Sequence, residues 1–101
     1  MKIVIVGLGL IGGSFAKAFA RAGGHEVRAY DKNREILSRA RAQRVIMGEA
    51  NDGALRAAQL VLLALHPRAT VDFILEKAPV FGPRALLLDT CGVKTPVCEA
   101  A

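Results

Sequence analysis

The chain has 101 residues, 52% of them hydrophobic, which suffices for one domain with a single core and is too apolar for a disordered segment. The longest apolar run, residues 60–65, has the length of a strand and falls far short of the roughly 18 residues that suggest a membrane span. We expect no signal peptide in the first residues, because Gly7 interrupts their apolar run early. We therefore expect a cytoplasmic protein without membrane contact.

The formal net charge of +5 suits a protein whose ligands are anions. Four arginines crowd one helical stretch, a pattern that also occurs in proteins that bind nucleic acids. No aromatic residues interleave with them to stack on bases, so we interpret the stretch as a solvated helix face and expect no nucleic-acid partner. These residues are Arg34, Arg39, Arg41 and Arg44.

Two cysteines, Cys91 and Cys98, lie near the end of the chain. Two thiols are too few for a zinc site without histidine ligands, and the spacing of His25 and His66 is not that of metal ligands. We expect reduced thiols and no bound metal.

In chain order, the first predicted elements are an apolar strand, a glycine-rich turn and a helix. The strand covers Lys2–Val6 and has the continuous apolar character of a parallel strand that is covered on both faces. The helix carries an apolar stripe at helical spacing, which we expect to pack on the sheet. The stripe consists of Ile11, Phe15, Phe19 and Ala22, and the helix ends at Gly23 and Gly24.

The turn has the spacing G-x-G-x-x-G at Gly7, Gly9 and Gly12, which is the fingerprint of a dinucleotide-binding site when a strand precedes it and a helix follows. The first glycine allows a tight turn, the second has no Cβ to block the phosphates, and the third lets the helix lie close to the sheet. We expect the pyrophosphate to bind the backbone N–H groups at the helix N-terminus. The non-glycine residues of this stretch are Leu8, Leu10 and Ile11.

Asp31 follows the second predicted strand, residues 26–30, at about the distance of 20 residues that belongs to the fingerprint. Its carboxylate is expected to accept hydrogen bonds from the adenosine ribose and to repel a 2′-phosphate, which predicts NAD rather than NADP. A helix-capping role is the alternative. Arg34 opposes the prediction, because an arginine beside the ribose can bind a 2′-phosphate; it could equally stack on adenine.

The remaining elements continue the alternation of strands and helices. Asn33 is expected to cap a helix whose inner face comprises Ile36, Leu37 and Ala40. Residues 45–47 are predicted to form a short strand, 48–53 a loop and 54–59 a short helix with Asp52 near its start. Further along come a strand over 60–65, a helix over 68–78 with Val71, Ile74 and Leu75 inward, and a strand over 85–88 followed by Asp89.

This order predicts right-handed crossovers and an α/β fold, a Rossmann-like open parallel sheet with helices on both faces. Residues 1–101 are expected to form one nucleotide-binding domain. Thr95 and Pro96 look like the start of a further helix, and the chain stops about one turn later. We therefore expect a fragment of a longer two-domain protein, truncated before a C-terminal helical domain.

Two segments of the sequence resemble the prephenate/arogenate dehydrogenases of tyrosine biosynthesis. One is Val-Gly-Leu-Gly-Leu-Ile-Gly-Gly-Ser at residues 6–14, together with Asp31; the other is Asp-Thr-Cys-Gly-Val-Lys at residues 89–94. The resemblance covers the whole chain but only the N-terminal, nucleotide-binding part of the family's architecture.

The resemblance implies an NAD-dependent oxidative decarboxylation of prephenate to 4-hydroxyphenylpyruvate, with prephenate or arogenate as the small-molecule substrate. The family's catalytic histidine, its substrate-binding arginine and its dimerisation domain would lie beyond residue 101. No catalytic residue is therefore expected within this chain, and the full-length protein is expected to be a homodimer. His66 and Pro67 superficially match the family's histidine motif, but they follow the fourth strand, on the cofactor side.

Leu65, His66 and Pro67 leave the fourth strand at the carboxyl end of the sheet, where open α/β sheets bind ligands. They are therefore expected to line the cofactor, with acid–base catalysis by His66 as the alternative. The resemblance suggests roles for residues after the fifth strand. Cys91 is expected on the cofactor side, and Lys94 either faces the substrate or is a solvated surface lysine. The chain has Gly92 where family members often carry serine, so a hydrogen bond near the reacting hydroxyl is replaced by backbone groups or missing.

Two other functions remain open from the sequence. One is another NAD(P)-dependent oxidoreductase, of the hydroxyacid or imine type, which shares the Gly-Leu-Gly opening. The other is a nucleotide-sensing domain without catalytic activity.

Overall fold

The computed structural model describes residues 1–82 and 85–89. The elements are β1 (Lys2–Val6), α1 (Leu10–Ala22), β2 (Glu26–Tyr30), α2 (Arg34–Ala42), β3 (Gly48–Glu49), α3 (Asp52–Ala57), β4 (Leu60–Leu63), α4 (Pro67–Lys77) and β5 (Leu86–Asp89). The expectations for Cys91, Lys94 and the helix from Thr95 lie outside the described residues.

The five strands form one parallel sheet in the order β3-β2-β1-β4-β5. Alternate residues of the central strand β1 point into two different apolar clusters. Ile3 and Ile5 pack with residues of α1 and α2, whereas Val4 and Val6 pack with residues of α3 and α4. Helices therefore cover both faces of the sheet, and the predicted Rossmann-like fold is confirmed.

The buried face of α1 differs from the predicted apolar stripe. Ile11 and Phe15 are 54% and 38% exposed, while the buried residues of the helix are Gly12 and Ala16. The reason is steric: a Cβ built on Gly12 would overlap the carbonyl oxygen of Gly7. Near its start the helix approaches β1 so closely that only small residues fit between them, and Ile11 and Phe15 are displaced toward solvent. Farther along the helix, Phe19 is half-buried and packs against the core as predicted.

The third strand and third helix also differ from the prediction. β3 is Gly48–Glu49 rather than residues 45–47, and it pairs with Arg28 and Ala29 of β2. Ile46 lies in a loop, but its side chain is buried in the core. The apolar residue that suggested a strand there is therefore a buried loop residue. α3 starts at Asp52 because the Asn51 side chain accepts a hydrogen bond from the Ala54 N–H at 2.8 Å.

The predicted cap of α2 is confirmed, whereas the predicted inner face of α4 is wrong in part. The Asn33 side chain accepts hydrogen bonds from the N–H groups of Glu35 and Ile36. In α4, Thr70 is fully buried, and Ile74 is half-buried as expected. Leu75 is instead 73% exposed and Val71 37% exposed. Phe73 takes the inward position and contacts Tyr30.

Among the described residues, no helix is both long enough and apolar enough to cross a membrane.

Two isoleucines test the packing of α1 against the sheet. Ile5 on β1 is fully buried and Ile11 on α1 is more than half exposed. We expect Ile5→Ala to lower the free energy of unfolding by about 3 kcal/mol, since it removes buried methylenes and leaves a cavity. The same change at Ile11 should cost about 0.5 kcal/mol or less. Urea denaturation measures both, and equal losses would contradict this orientation of α1.

Two neighbouring glycines test the contact between α1 and β1. Gly12→Ala should lower the free energy of unfolding by about 2 kcal/mol, because its methyl group collides with backbone that cannot move aside. Gly13→Ala is the matched control, since its Cβ would lie 3.5 Å from the Leu8 carbonyl oxygen, an ordinary contact. There alanine should be neutral or stabilising by about 0.5 kcal/mol through helix propensity. Indistinguishable stabilities of the two variants would refute the close approach.

Candidate functional site

The carboxyl ends of β1, β2 and β4 meet at one edge of the sheet, where open α/β sheets bind their ligands. The cleft there has a volume of about 720 Å³. It lies between the glycine-rich turn, the residues after β2 and the start of α4. Its lining residues are Gly7, Gly9, Leu10, Ile11, Asp31, Lys32, Ala64, Leu65, His66, Pro67 and Ala69.

Gly7 forms the tight turn that brings the chain from β1 into the cleft. Its φ is +94°, a conformation that other residues adopt only with strain. Its N–H donates to the Tyr30 carbonyl oxygen at 2.8 Å, and a Cβ on it would lie 2.5 Å from the Ala64 carbonyl oxygen. The turn is thus held between the ends of β2 and β4, where no side chain fits.

The Asp31 carboxylate ties the turn to the end of β2. One oxygen, Oδ2, accepts a hydrogen bond from the Leu8 N–H at 2.8 Å, and Oδ1 accepts one from the Asn33 N–H at 2.9 Å. Asn33, not Asp31, caps α2. Asp31 already engages the Leu8 N–H, so the N–H groups that remain available to a phosphate start at Gly9.

The helix N-termini fall into two kinds. α2 and α3 begin with asparagine side chains that accept hydrogen bonds from their first-turn N–H groups. The N-cap residues of α1 and α4 are Gly9 and His66, and neither helix has a side-chain cap among the described residues. The two uncapped helices are those that border the cleft. At α1 the N–H groups of the first turn have no intrahelical partner and face a ligand or water.

On the α4 side of the cleft, the buried Thr70 side chain binds the backbone of the segment that precedes the helix. Its hydroxyl donates toward the carbonyl oxygens of His66 at 3.1 Å and Leu65 at 3.3 Å, and the side chain is fully buried. Pro67 stands at the first helical position, which needs no N–H. The segment 65–67 is therefore rigidly placed opposite the glycine turn, and His66 is exposed at its centre.

Arg34 lies at the first position of α2, outside the lining of the cleft. Its guanidinium contacts the Glu49 carboxylate at the end of β3, with 3.3 Å between Nη1 and Oε2. The structure thus places Arg34 near Asp31 along the chain but turned toward the neighbouring strand.

A smaller cavity of about 250 Å³ adjoins the cleft and shares Asp31, Lys32 and Leu65 with it. Tyr30 and Phe73 form its apolar wall, in an edge-to-face contact at 5.5 Å between ring centroids. Burial raises the pKa of the Tyr30 hydroxyl, so the group stays neutral. A hydrogen bond from Lys77 to Asp52, 2.9 Å long, raises the pKa of Lys77 and keeps a positive charge at the rim.

Most residues predicted for the site come together in the structure. Gly12 is buried behind the turn and shapes it without reaching the cleft, and Cys91 and Lys94 are outside the described residues. Four residues that no sequence pattern singled out also contribute to the site. Lys32, Ala64 and Ala69 carry no pattern that marks them, whereas Thr70, four residues after His66, could have been recognised as a hydroxyl that bonds back to the preceding turn. These contributors are Lys32, Ala64, Ala69 and Thr70.

Comparisons with known proteins agree with this geometry. A cyclohexadienyl dehydrogenase of Zymomonas mobilis subsp. mobilis is 38% identical over 100 residues, which cover 96% of this chain and 34% of that enzyme. The crystal structure of Synechocystis arogenate dehydrogenase matches with a TM-score of 0.86 and 27% identity, over 98% of this chain and 36% of that one. Prephenate dehydrogenase from Aquifex aeolicus, in complex with hydroxyphenyl propionate and NAD+, matches with a TM-score of 0.83 and 26% identity, over 96% and 35%.

The chain spans about a third of the length of these relatives. The resemblance to the nucleotide-binding part of the prephenate/arogenate dehydrogenases is confirmed. The sequence family described as NADP oxidoreductase, coenzyme F420-dependent, matches residues 2–90. Since this match covers most of the chain, the chain belongs to this sequence family.

Proposed function

We propose that the chain is the NAD-binding part of a dehydrogenase that oxidises and decarboxylates prephenate or arogenate. The observation that carries the proposal is the uncapped N-terminus of α1, which opens beside Gly9 onto the cleft. The similarity to the dehydrogenases above supports the choice of substrate class.

The residues present fit a dinucleotide. A Cβ built on Gly9 would meet no described atom within 4 Å, so the backbone is open to a phosphate there. The positive end of the α1 dipole favours the negative charge of a pyrophosphate, and the first turn contains no acidic residue to oppose it. Leu10 and Ile11 supply N–H groups at this position, and their exposed side chains border the cleft.

Asp31 has two roles in this proposal. It holds the glycine turn in place through the Leu8 N–H, and it presents a carboxylate toward the adenosine ribose. A carboxylate oxygen can accept more than one hydrogen bond, so a ribose hydroxyl can add to the existing bond. The negative charge opposes a 2′-phosphate and favours NAD.

When bound, NAD supplies a hydride acceptor for the substrate carbon that bears the hydroxyl. Residues of this chain position the nicotinamide end. Leu65, His66 and Pro67 form the wall of the cleft beside it, and the Thr70 hydroxyl holds that segment through its hydrogen bond to the His66 carbonyl oxygen. In this proposal, substrate contacts and dimerisation belong to the parts of the protein that correspond to the remaining two-thirds of the relatives.

A pair of glycine variants tests the phosphate site. Gly9→Ala should weaken NAD binding at least about tenfold, because its methyl group occupies the space of the pyrophosphate; its cost to stability is about 1 kcal/mol or less, from the helix cap. Gly13→Ala adds the same methyl group one turn along and should leave the affinity within about twofold. Isothermal titration calorimetry measures both. Unchanged binding in Gly9→Ala, or no binding of NAD by the unaltered chain, would refute the proposal.

A second prediction concerns the choice of cofactor. The unaltered chain should bind NAD about tenfold or more tightly than NADP, and Asp31→Asn should reduce that ratio because it removes the charge that repels the 2′-phosphate. Calorimetric titration with each dinucleotide gives the two affinities, and circular dichroism checks that the variant is folded. Tighter binding of NADP by the unaltered chain would overturn the role assigned to Asp31.

A further inference from the structure

Glu49 lies at the end of β3, the strand next to β2 in the sheet. Its carboxylate contacts the Arg34 guanidinium at 3.3 Å, and the two side chains are 49% and 82% exposed. Its backbone carbonyl oxygen accepts a hydrogen bond from the Arg28 guanidinium at 3.5 Å. Glu49 therefore pairs with a basic side chain that follows the loop after β2, outside the lining of the cleft, and nothing in the glycine fingerprint accounts for it.

We propose that Glu49 is a specificity-determining residue, which holds Arg34 against β3 and thereby keeps it from binding the 2′-phosphate of NADP. This inference rests on the proposed function, because it concerns the adenosine side of the same dinucleotide site. It adds a second carboxylate to the one that the fingerprint identifies.

The sequence around Asp31 supplies the physical reason for such a role. Lys32 and Arg34 flank the loop after β2, and an arginine at this place is the group that accommodates a 2′-phosphate in enzymes that use NADP. Asp31 alone opposes two cations. With Glu49 the formal charges of these four side chains cancel, and the guanidinium donors of Arg34 already have an acceptor.

The geometry makes this arrangement reversible. An exposed ion pair is weak because water screens it, so Glu49 biases the position of Arg34 without fixing it. A single substitution at Glu49 is therefore enough to release the guanidinium. Such a change should affect NADP and leave NAD nearly untouched, because a ribose hydroxyl carries no charge for Arg34 to bind.

The test measures NAD and NADP affinities of the chain by isothermal titration calorimetry. Glu49→Gln should tighten NADP binding about three- to fivefold, the size expected when an exposed ion pair is removed. The affinity for NAD should stay within about twofold. Thermal unfolding of the variant should match that of the unaltered chain, since the side chain is half exposed.

Two controls separate this role from a general effect of charge. Glu35→Gln removes the same charge one residue after Arg34, where the carboxylate pairs with Arg39 instead, and it should leave the ratio of affinities unchanged. Arg34→Ala should abolish the effect of Glu49→Gln in the double variant. An equal gain in Glu35→Gln, or a full gain without Arg34, would overturn the inference.

The outcome also distinguishes this inference from the proposed function. If the unaltered chain binds NAD and Glu49→Gln leaves the ratio of affinities unchanged, only the role of Glu49 fails. If the unaltered chain binds neither dinucleotide, the proposed function fails and the inference with it.

Discussion

The contact between Gly12 of α1 and the Gly7 carbonyl oxygen determines where the rest of the site lies. It lets the helix start directly at the end of β1, so its first-turn N–H groups open at the sheet edge rather than over its face. The bond from the Leu8 N–H to Asp31 then fixes the turn between these two elements. Together these contacts preorganise a backbone surface, so binding a ligand there costs little ordering of the loop.

Electrostatics at the sheet edge follow from which helices are capped. Asparagine side chains satisfy α2 and α3, so the uncapped positive ends belong to α1 and α4, on opposite walls of one cleft. Carboxylates at Asp31 and Glu49 restrict where negative charge is accepted. In the proposed function the phosphates lie at the glycine turn, and the neutral ribose lies at the end of β2, where Asp31 and Glu49 balance the charges of Lys32 and Arg34.

The fold and the glycine turn could be predicted from the sequence because their signals are local: continuous apolar strands, a fixed glycine spacing and an asparagine cap at Asn33. The face of α1 could not be predicted from hydrophobicity, since the approach of two backbones at Gly12 outweighs the burial of Ile11. The apolar residue Ile46 suggested a strand, although it is a loop residue whose side chain is buried in the core. The pairing of Arg34 with Glu49 joins positions 15 residues apart and depends on the register of β3, which is visible only in the folded sheet.

A heteronuclear NMR titration of the isotopically labelled chain with NAD would observe the proposed phosphate contacts directly. The amide signals of Gly9, Leu10 and Ile11 should shift with saturation, as expected when free N–H groups gain charged acceptors. Those of the capped first turn of α3 should remain nearly in place. Saturable shifts confined to residues away from the glycine turn, with the amides of 9–11 unmoved, would contradict the assignment of this turn as the dinucleotide site.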